Sequence, residues 1–504
     1  MSNAATKTDG IFLGKAGKTA VHILPEMMNR HGLIAGATGT GKTVSLRIMA
    51  EQLSYLGVPS FVADVKGDLA GVSQPGEGHP KIDERAELLG LKDFGYKPAP
   101  VVFWDLYAEK GHPFRATISD MGPLLLSRLM KLSATQVSVL YIAFKVADDQ
   151  GLLLLDLKDL RALLAWLDAH RKEVGAEYGR VTSASITAIQ RELLVLDQQG
   201  ASMFFGEPML RLNDLMRTDM SGRGIINVLS ADKLINNPKL YATAMLWLLA
   251  ELFEGLPEVG DVDKPVLAFF FDEAHLLFDD APDALVDKVE QVVKLIRSKG
   301  VGVYFATQNP MDIPESVLAQ LGNRVQHALR AYTPRERKAV KTAAETFRTN
   351  PKLDTATVIT ELGVGEALVS TLDRKGRPTM VQQTLIRPPE TRLDPITDKE
   401  RKTVMRGSPV GAIYDKPVDR ESAFELLKKR TEQEMNKDEE ADNTREQESR
   451  SGGGIFDSLF GSSGRKRSRG RQTAGEAFVK SMARSAGSQI GRKVMRGILG
   501  SIFK

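Results

Sequence analysis

The stretch GLIAGATGTGKTVSL at residues 32–46 limits what this chain folds into more than any other. It holds the pattern G-x-x-x-x-G-K-[ST] in full, with Gly36, Gly41, Lys42 and Thr43 at the defining places. A short apolar run precedes it and an amphipathic segment, TVSLRIMAEQLSYLG, follows. Strand, glycine-rich turn and helix in that order present backbone N–H groups and a helix N-terminus to an anion. The pattern predicts a phosphate cradle formed by Gly36, Thr38, Gly39, Thr40 and Gly41, with Lys42 reaching the β- and γ-phosphates of ATP and the Thr43 hydroxyl ligating Mg2+.

A second motif supplies what such a cradle needs. VLAFFFDEAHLLF, at 266–278, reads as a buried strand ending in Asp272 and Glu273. Both carboxylates then fall at the carboxyl edge of the sheet, where ligands bind in folds of this class. Asp272 is placed to support the metal and Glu273 to act as general base toward water. His275, a lone histidine, is read as structural. The strand GVGVYFATQNP, at 300–310, ends in Thr307 and Gln308, a polar tip suited to sensing the γ-phosphate or positioning the water. The three strands together predict an α/β fold with a RecA-like P-loop core and a parallel central sheet.

The rest of the chain divides by pattern. Residues 1–104 and 224–390 alternate short Val/Ile/Phe-rich runs (PSFVAD, APVVFW, GIINVLS, NRVQHALRAY, GEALVSTLD) with helical periodicity, as a parallel sheet covered by helices requires. Between them, residues 105–223 carry helix-period Leu and Ala segments such as LLLLDLKDLRALLAWLDAH, which predict an all-helical insertion. Residues 391–450 form a charged extension. SGGGIFDSLFGSSGRKRSRGRQ then has a linker's composition, and Phe478, Met482, Ile490, Val494 and Ile498 recur at a spacing that predicts a basic amphipathic helix.

Charge and cysteine content narrow the function classes. The chain of 504 residues has no cysteine, which excludes disulfides and thiolate chemistry, and its seven histidines form no H-x-x-H pair. The net charge of +4 belongs to the tail: residues 451–504 carry eleven Lys and Arg against two Asp and Glu, so the larger body is near neutral. The tail admits three readings: contact with nucleic-acid phosphates, docking on a membrane surface, or a bland tail that packs against a neighbouring subunit or stays disordered. The start MSNAATKTDG is polar and no apolar run approaches the ~20 residues of a membrane span, so the cytoplasm is the expected compartment.

GLIAGATGTGKT, FFFDEAH, IRSKGVGVYFATQNP, LGVGEALVS and DVKGDL at 64–69 together resemble the HerA/FtsK superfamily of ring-forming DNA-pumping ATPases. Within it they are similar to the HerA-like helicase C-terminal proteins of the YjgR type. The resemblance implies a homo-oligomeric ring, a hexamer, acting on double-stranded DNA, with Gln308 as the glutamine sensor. It also implies an arginine supplied in trans by a neighbouring subunit. Arg297 occupies that place, with Arg324 and Arg330 as alternatives. A reading from another class is a nucleotide-dependent scaffold or switch that binds a protein partner through 105–223 without translocation. DNA-stimulated ATP hydrolysis separates the two.

Overall fold

The computed structural model describes residues 10–278 and 283–436. They divide into two units: an α/β unit of residues up to 115 and 208–417, and a helical unit of 116–207 with residues from 418 onward.

The α/β unit is built on one sheet of twelve strands. In chain order they are β1 (Ile11–Ala16), β2 (Thr19–Ile23), β3 (Gly32–Ala35), β4 (Ser60–Asp64), β5 (Val101–Asp105) and β6 (His112–Pro113). There follow β7 (Ile226–Ser230), β8 (Leu267–Phe271), β9 (Val301–Thr307), β10 (Asn323–Gln326), β11 (Glu366–Ser370) and β12 (Gln382–Ile386). Their order across the sheet is β2-β1-β12-β11-β10-β3-β9-β8-β4-β7-β5-β6. From β10 to β6 the eight strands run parallel. Every residue of β3, β4, β7, β8 and β9 is buried, as expected of strands covered on both faces.

The expected parallel central sheet is present, and further strands extend it on one side. β11, β12, β1 and β2 continue the sheet as an antiparallel meander. Its outermost pair is the hairpin IFLGKAGKTAVHI, at 11–23, where Gly17 takes a left-handed φ of 56° and closes the turn. Strands β2 and β12 leave several residues exposed or half-buried, so their polar residues masked them as strands in the sequence.

At the centre, aromatic rings pair across strands at matching register. Phe61 of β4 stacks on Phe269 of β8 with centroids 4.8 Å apart. Phe270 and Phe271 stack on Tyr304 and Phe305 of β9 at 5.2 and 5.4 Å. Such rings bury large apolar areas and fix the register as they do so. On one face Phe270 and Tyr304 join Leu46, Met49 and Leu53 of helix Lys42–Tyr55, the helix that the P-loop feeds.

The helical unit contains Ile118–Leu129, Ala134–Gln150, Leu157–Ala169 and Ser183–Gln198 as its longer helices. It is narrower than the expected insertion at 105–223, and residues 418–436 belong to it although they read as part of a separate charged extension. The cause is a buried carboxylate. Asp159 accepts hydrogen bonds from Ser422 Oγ at 2.6 Å and Phe424 N at 3.0 Å, while its other oxygen takes Leu155 N and Asp156 N. A polar group buried this deeply demands its partners, and these lie more than 260 residues away in sequence. No helix among the described residues is long and apolar enough to cross a membrane. The linker and the basic amphipathic helix expected within 451–504 lie outside the described residues.

Truncating Phe270 to alanine removes a fully buried ring between two strands and the P-loop helix. The expected cost is about 3–5 kcal/mol, read as a lowered thermal midpoint, and a loss under about 1 kcal/mol would contradict this packing.

Candidate active site

Register decides what meets at the sheet's carboxyl edge. Ala35 of β3 pairs with Thr307 of β9, so Gly36 and Gln308 are the next residues out on adjacent strands. Phe271 of β8 pairs with Phe305, which brings Glu273 level with Thr307. Ala63 of β4 pairs with Phe271, so Asp64 is level with Asp272. The phosphate cradle, the polar tip and the acidic pair are therefore brought together by strand pairing alone.

The cradle is fastened on both sides. Gly36 N donates to Thr307 O at 3.2 Å, and Ala37 N donates to Ala328 O, past the end of β10, at 2.8 Å. Gly365 N, just before β11, donates to Thr40 O at 3.2 Å. Gly41 has φ 114°, and a Cβ on Gly36 would sit 2.5 Å from His327 Cβ, so neither position tolerates a side chain. Thr40 Oγ1 donates to Ala37 O at 2.7 Å, whereas Thr38 and Gly39 are exposed at the crest. Lys42 is buried, and its Nζ donates to Gly36 O and Ala37 O at 2.7 and 3.2 Å. Burial lowers its pKa, against the pull of Glu273. Thr43 is half-buried in the first turn of the helix.

The acidic pair divides into two environments. Asp272 is 1% exposed and neither oxygen finds a hydrogen-bond donor among the described residues. Burial, with the neighbouring Glu273 charge, pushes its pKa up to about 7. Glu273 sits at φ 48°, a left-handed conformation that costs a non-glycine residue roughly 1–2 kcal/mol. Gln308 Nε2 donates to its two oxygens at 3.3 and 3.2 Å, and Lys66 forms an ion pair with Oε1. Burial alone would raise the pKa of Glu273, but Lys66, then Gln308 and Lys42, outweigh it and hold the carboxyl below its ordinary value. His275 Nδ1 lies 3.4 Å from Oε2.

This donor set fits a magnesium ion. A hard cation of this size takes one or two protein oxygens and completes its shell with phosphate and water. Asp272, an orphaned buried carboxylate, and the Thr43 hydroxyl are of that kind. Among the described residues no cluster of three or more His, Asp or Glu forms an all-protein cage.

A family model described as helicase HerA-like C-terminal matches residues 12–504. The chain belongs to that family. No curated protein matches it. Among solved structures it is similar to the bacterial conjugative coupling protein TrwB lacking its first 70 residues, at 15% identity and a TM-score of 0.49, over 76% of this chain and 90% of that one. It is also similar to VirB4 of Thermoanaerobacter pseudethanolicus, at 14% identity and a TM-score of 0.49, over 78% and 99% of the two chains. A third similar structure is TrwB in complex with ADP and Mg2+, at 15% identity and a TM-score of 0.49, over 77% and 91%.

The arginines of this HerA-like chain are spread over the sheet. Arg297 precedes β9, at the edge opposite Gln308, and seven residues of strand at ~3.3 Å each separate the two ends. It is out of reach of its own chain's Glu273, and its Nη2 lies 3.7 Å from Asp261. Arg324 is within β10, level with Leu33, and donates to Leu318 O at 3.2 Å. Arg330 is exposed beyond the end of β10, on the P-loop's edge.

Two residues of the site were not picked out by sequence reasoning. Lys66 lies in DVKGDL, a charged turn directly after a buried strand, which is a readable signal at a carboxyl edge. His327 lies in NRVQHALRAY, and only its position after a strand marks it. It is fully buried, bonds Ser45 Oγ through Nε2 at 2.8 Å and Glu366 O through Nδ1 at 2.9 Å, and so backs the cradle.

Burial pushes the His327 pKa down from 6.5 to about 4. An unfolded chain takes up that proton near 6.5, while the folded chain refuses it until about 4. Its contribution to stability is therefore lost as pH falls through that window, by about 3 kcal/mol at the lower end. Denaturant unfolding of wild type and His327→Asn between pH 7 and pH 4 checks this. The variant is expected to start weaker and to lose less on acidification.

Proposed function

We propose that the chain hydrolyses ATP, with Mg2+, as a subunit of a closed hexameric ring that moves along double-stranded DNA in the cytoplasm. The observation that supports hydrolysis most strongly is Glu273, buried and aimed by a hydrogen bond from Gln308 at the level of the phosphate cradle. Family membership supports the ring and the DNA track.

In this reading the free backbone N–H groups of the loop donate to phosphate oxygens at the start of helix Lys42–Tyr55. Lys42 exchanges the carbonyls of Gly36 and Ala37 for β- and γ-phosphate oxygens. Thr43 and Asp272 would hold a Mg2+ ion, which would offset charge on the phosphate oxygens. Glu273 accepts a proton from water as the water oxygen bonds to the γ-phosphorus. The bond from that phosphorus to the bridging oxygen breaks, and its electron pair stays on ADP. Gln308, already bonded to Glu273, orients the water. Arg297 acts from a neighbouring subunit, since its own chain places it at the far edge of the sheet.

The test is the steady-state ATPase rate with and without linear duplex DNA. Duplex is expected to raise the rate about tenfold or more, which is about 1.4 kcal/mol off the barrier. Glu273→Gln is expected to lower turnover by about 10²–10⁴ while nucleotide still binds. Turnover indifferent to duplex DNA, single-stranded DNA and RNA alike overturns the translocase and leaves a nucleotide-dependent scaffold.

A further inference from the structure

Lys66 has no part in the reaction as written above, yet it touches the group on which that reaction turns. It sits two residues beyond the end of β4, on a turn whose Gly67 has φ 80°. That turn is held firmly. Gly67 N and Ala70 N donate to the Asp64 carboxylate at 2.7 and 3.2 Å. Arg47, from the helix that starts in the cradle, reaches Asp68 O at 2.6 Å. The ammonium is thus presented from a fixed base, and its side chain remains 40% exposed.

Three features define what this cation faces. It pairs with Glu273 Oε1. Its charge acts on both Lys42 and Asp272, so it lies within electrostatic reach of the phosphate-holding lysine and of the acidic pair. Finally, Lys66 and Gln308 both sit on Oε1 of Glu273, which occupies that oxygen's lone pairs. A γ-phosphate lying between Lys42 and Glu273 carries more negative charge than one carboxylate and offers three oxygens. It competes for Lys66 on favourable terms.

We propose that Lys66 is a ligand for the terminal phosphate of a nucleoside triphosphate, passing from Glu273 to a γ-phosphate oxygen when the triphosphate binds and so freeing the carboxylate for water. A diphosphate has no such oxygen to offer and leaves the Lys66–Glu273 pair intact. Lys66 thereby makes the site discriminate ATP from ADP. The inference rests on the ATP-binding reading given above, and the test separates the two.

The measurement is calorimetric titration of the full-length chain with ADP and with a non-hydrolysable ATP analogue carrying an imido bridge, both in excess Mg2+. Lys66→Ala and the longer, neutral Lys66→Gln are expected to weaken the ATP analogue by about tenfold to a hundredfold, the range for losing one charged hydrogen bond. ADP should change by less than about twofold on the same scale. Lys66→Arg is expected to keep most of the preference. Equal loss for both nucleotides, or no loss for either, overturns the assignment, since a merely structural lysine cannot tell them apart. Wild-type protein that binds neither nucleotide sinks the ATP reading and this proposal with it.

Discussion

Everything at this site depends on the pairing of β3, β9, β8 and β4 in one parallel ladder. A parallel sheet points all its carboxyl ends the same way, so residues that follow four different strands are gathered along one edge. A one-residue slip in the pairing of β8 with β9 would turn each side chain of β8 to the opposite face. The stacked rings of Phe269, Phe270 and Phe271 against Phe61, Tyr304 and Phe305 resist that slip. The packing of the core and the placement of the chemistry are the same fact seen at two depths.

Against that rigid background the edge holds groups that a stability argument alone would not choose. Asp272 is buried without a donor among the described residues, and Glu273 carries a left-handed backbone that its side chain disfavours. Each feature costs on the order of 1–3 kcal/mol, an amount the surrounding core offsets. Under the proposed function, strain and an orphaned carboxylate standing on adjacent residues at a strand end would serve a base and a cation. His327 plays the contrary part: fully buried and bonded through both ring nitrogens, it lends the cradle a stiff wall.

The portion of this that was legible in the sequence is the portion encoded by neighbours in the chain. Lys42 and Thr43 follow their glycines directly, and Asp272 and Glu273 follow an unbroken apolar run, so both motifs could be placed on elements before any fold was known. Gln308 could be placed for the same reason. The Lys66–Glu273 pair spans 207 positions and the Ser45–His327 bond spans 282, and neither is implied by local pattern. The antiparallel meander hid behind polar residues on its half-exposed strands, and the edge of the helical unit depended on Asp159 finding Ser422. Pairings made by folding leave no trace in a window of ten residues.

The electrostatics of the edge explain why two lysines stand there. Asp64, Asp68, Asp272 and Glu273 crowd around the ends of β4 and β8, and burial, followed by their mutual repulsion, pushes Asp64 and Asp272 up to about 6 and about 7. An arriving polyphosphate would meet four carboxylates, a repulsive field in a poorly solvated place. Lys42 and Lys66 both offset this, one fixed in the first turn of a helix and the other on a turn tied to that same helix by Arg47. Both are already engaged, with loop carbonyls and with Glu273 respectively, so neither stands as an unpaired buried charge. In the proposed ATPase, a cation that is paired but exchangeable would leave the fold stable and the site ready, which is the condition a repeating catalytic cycle would impose.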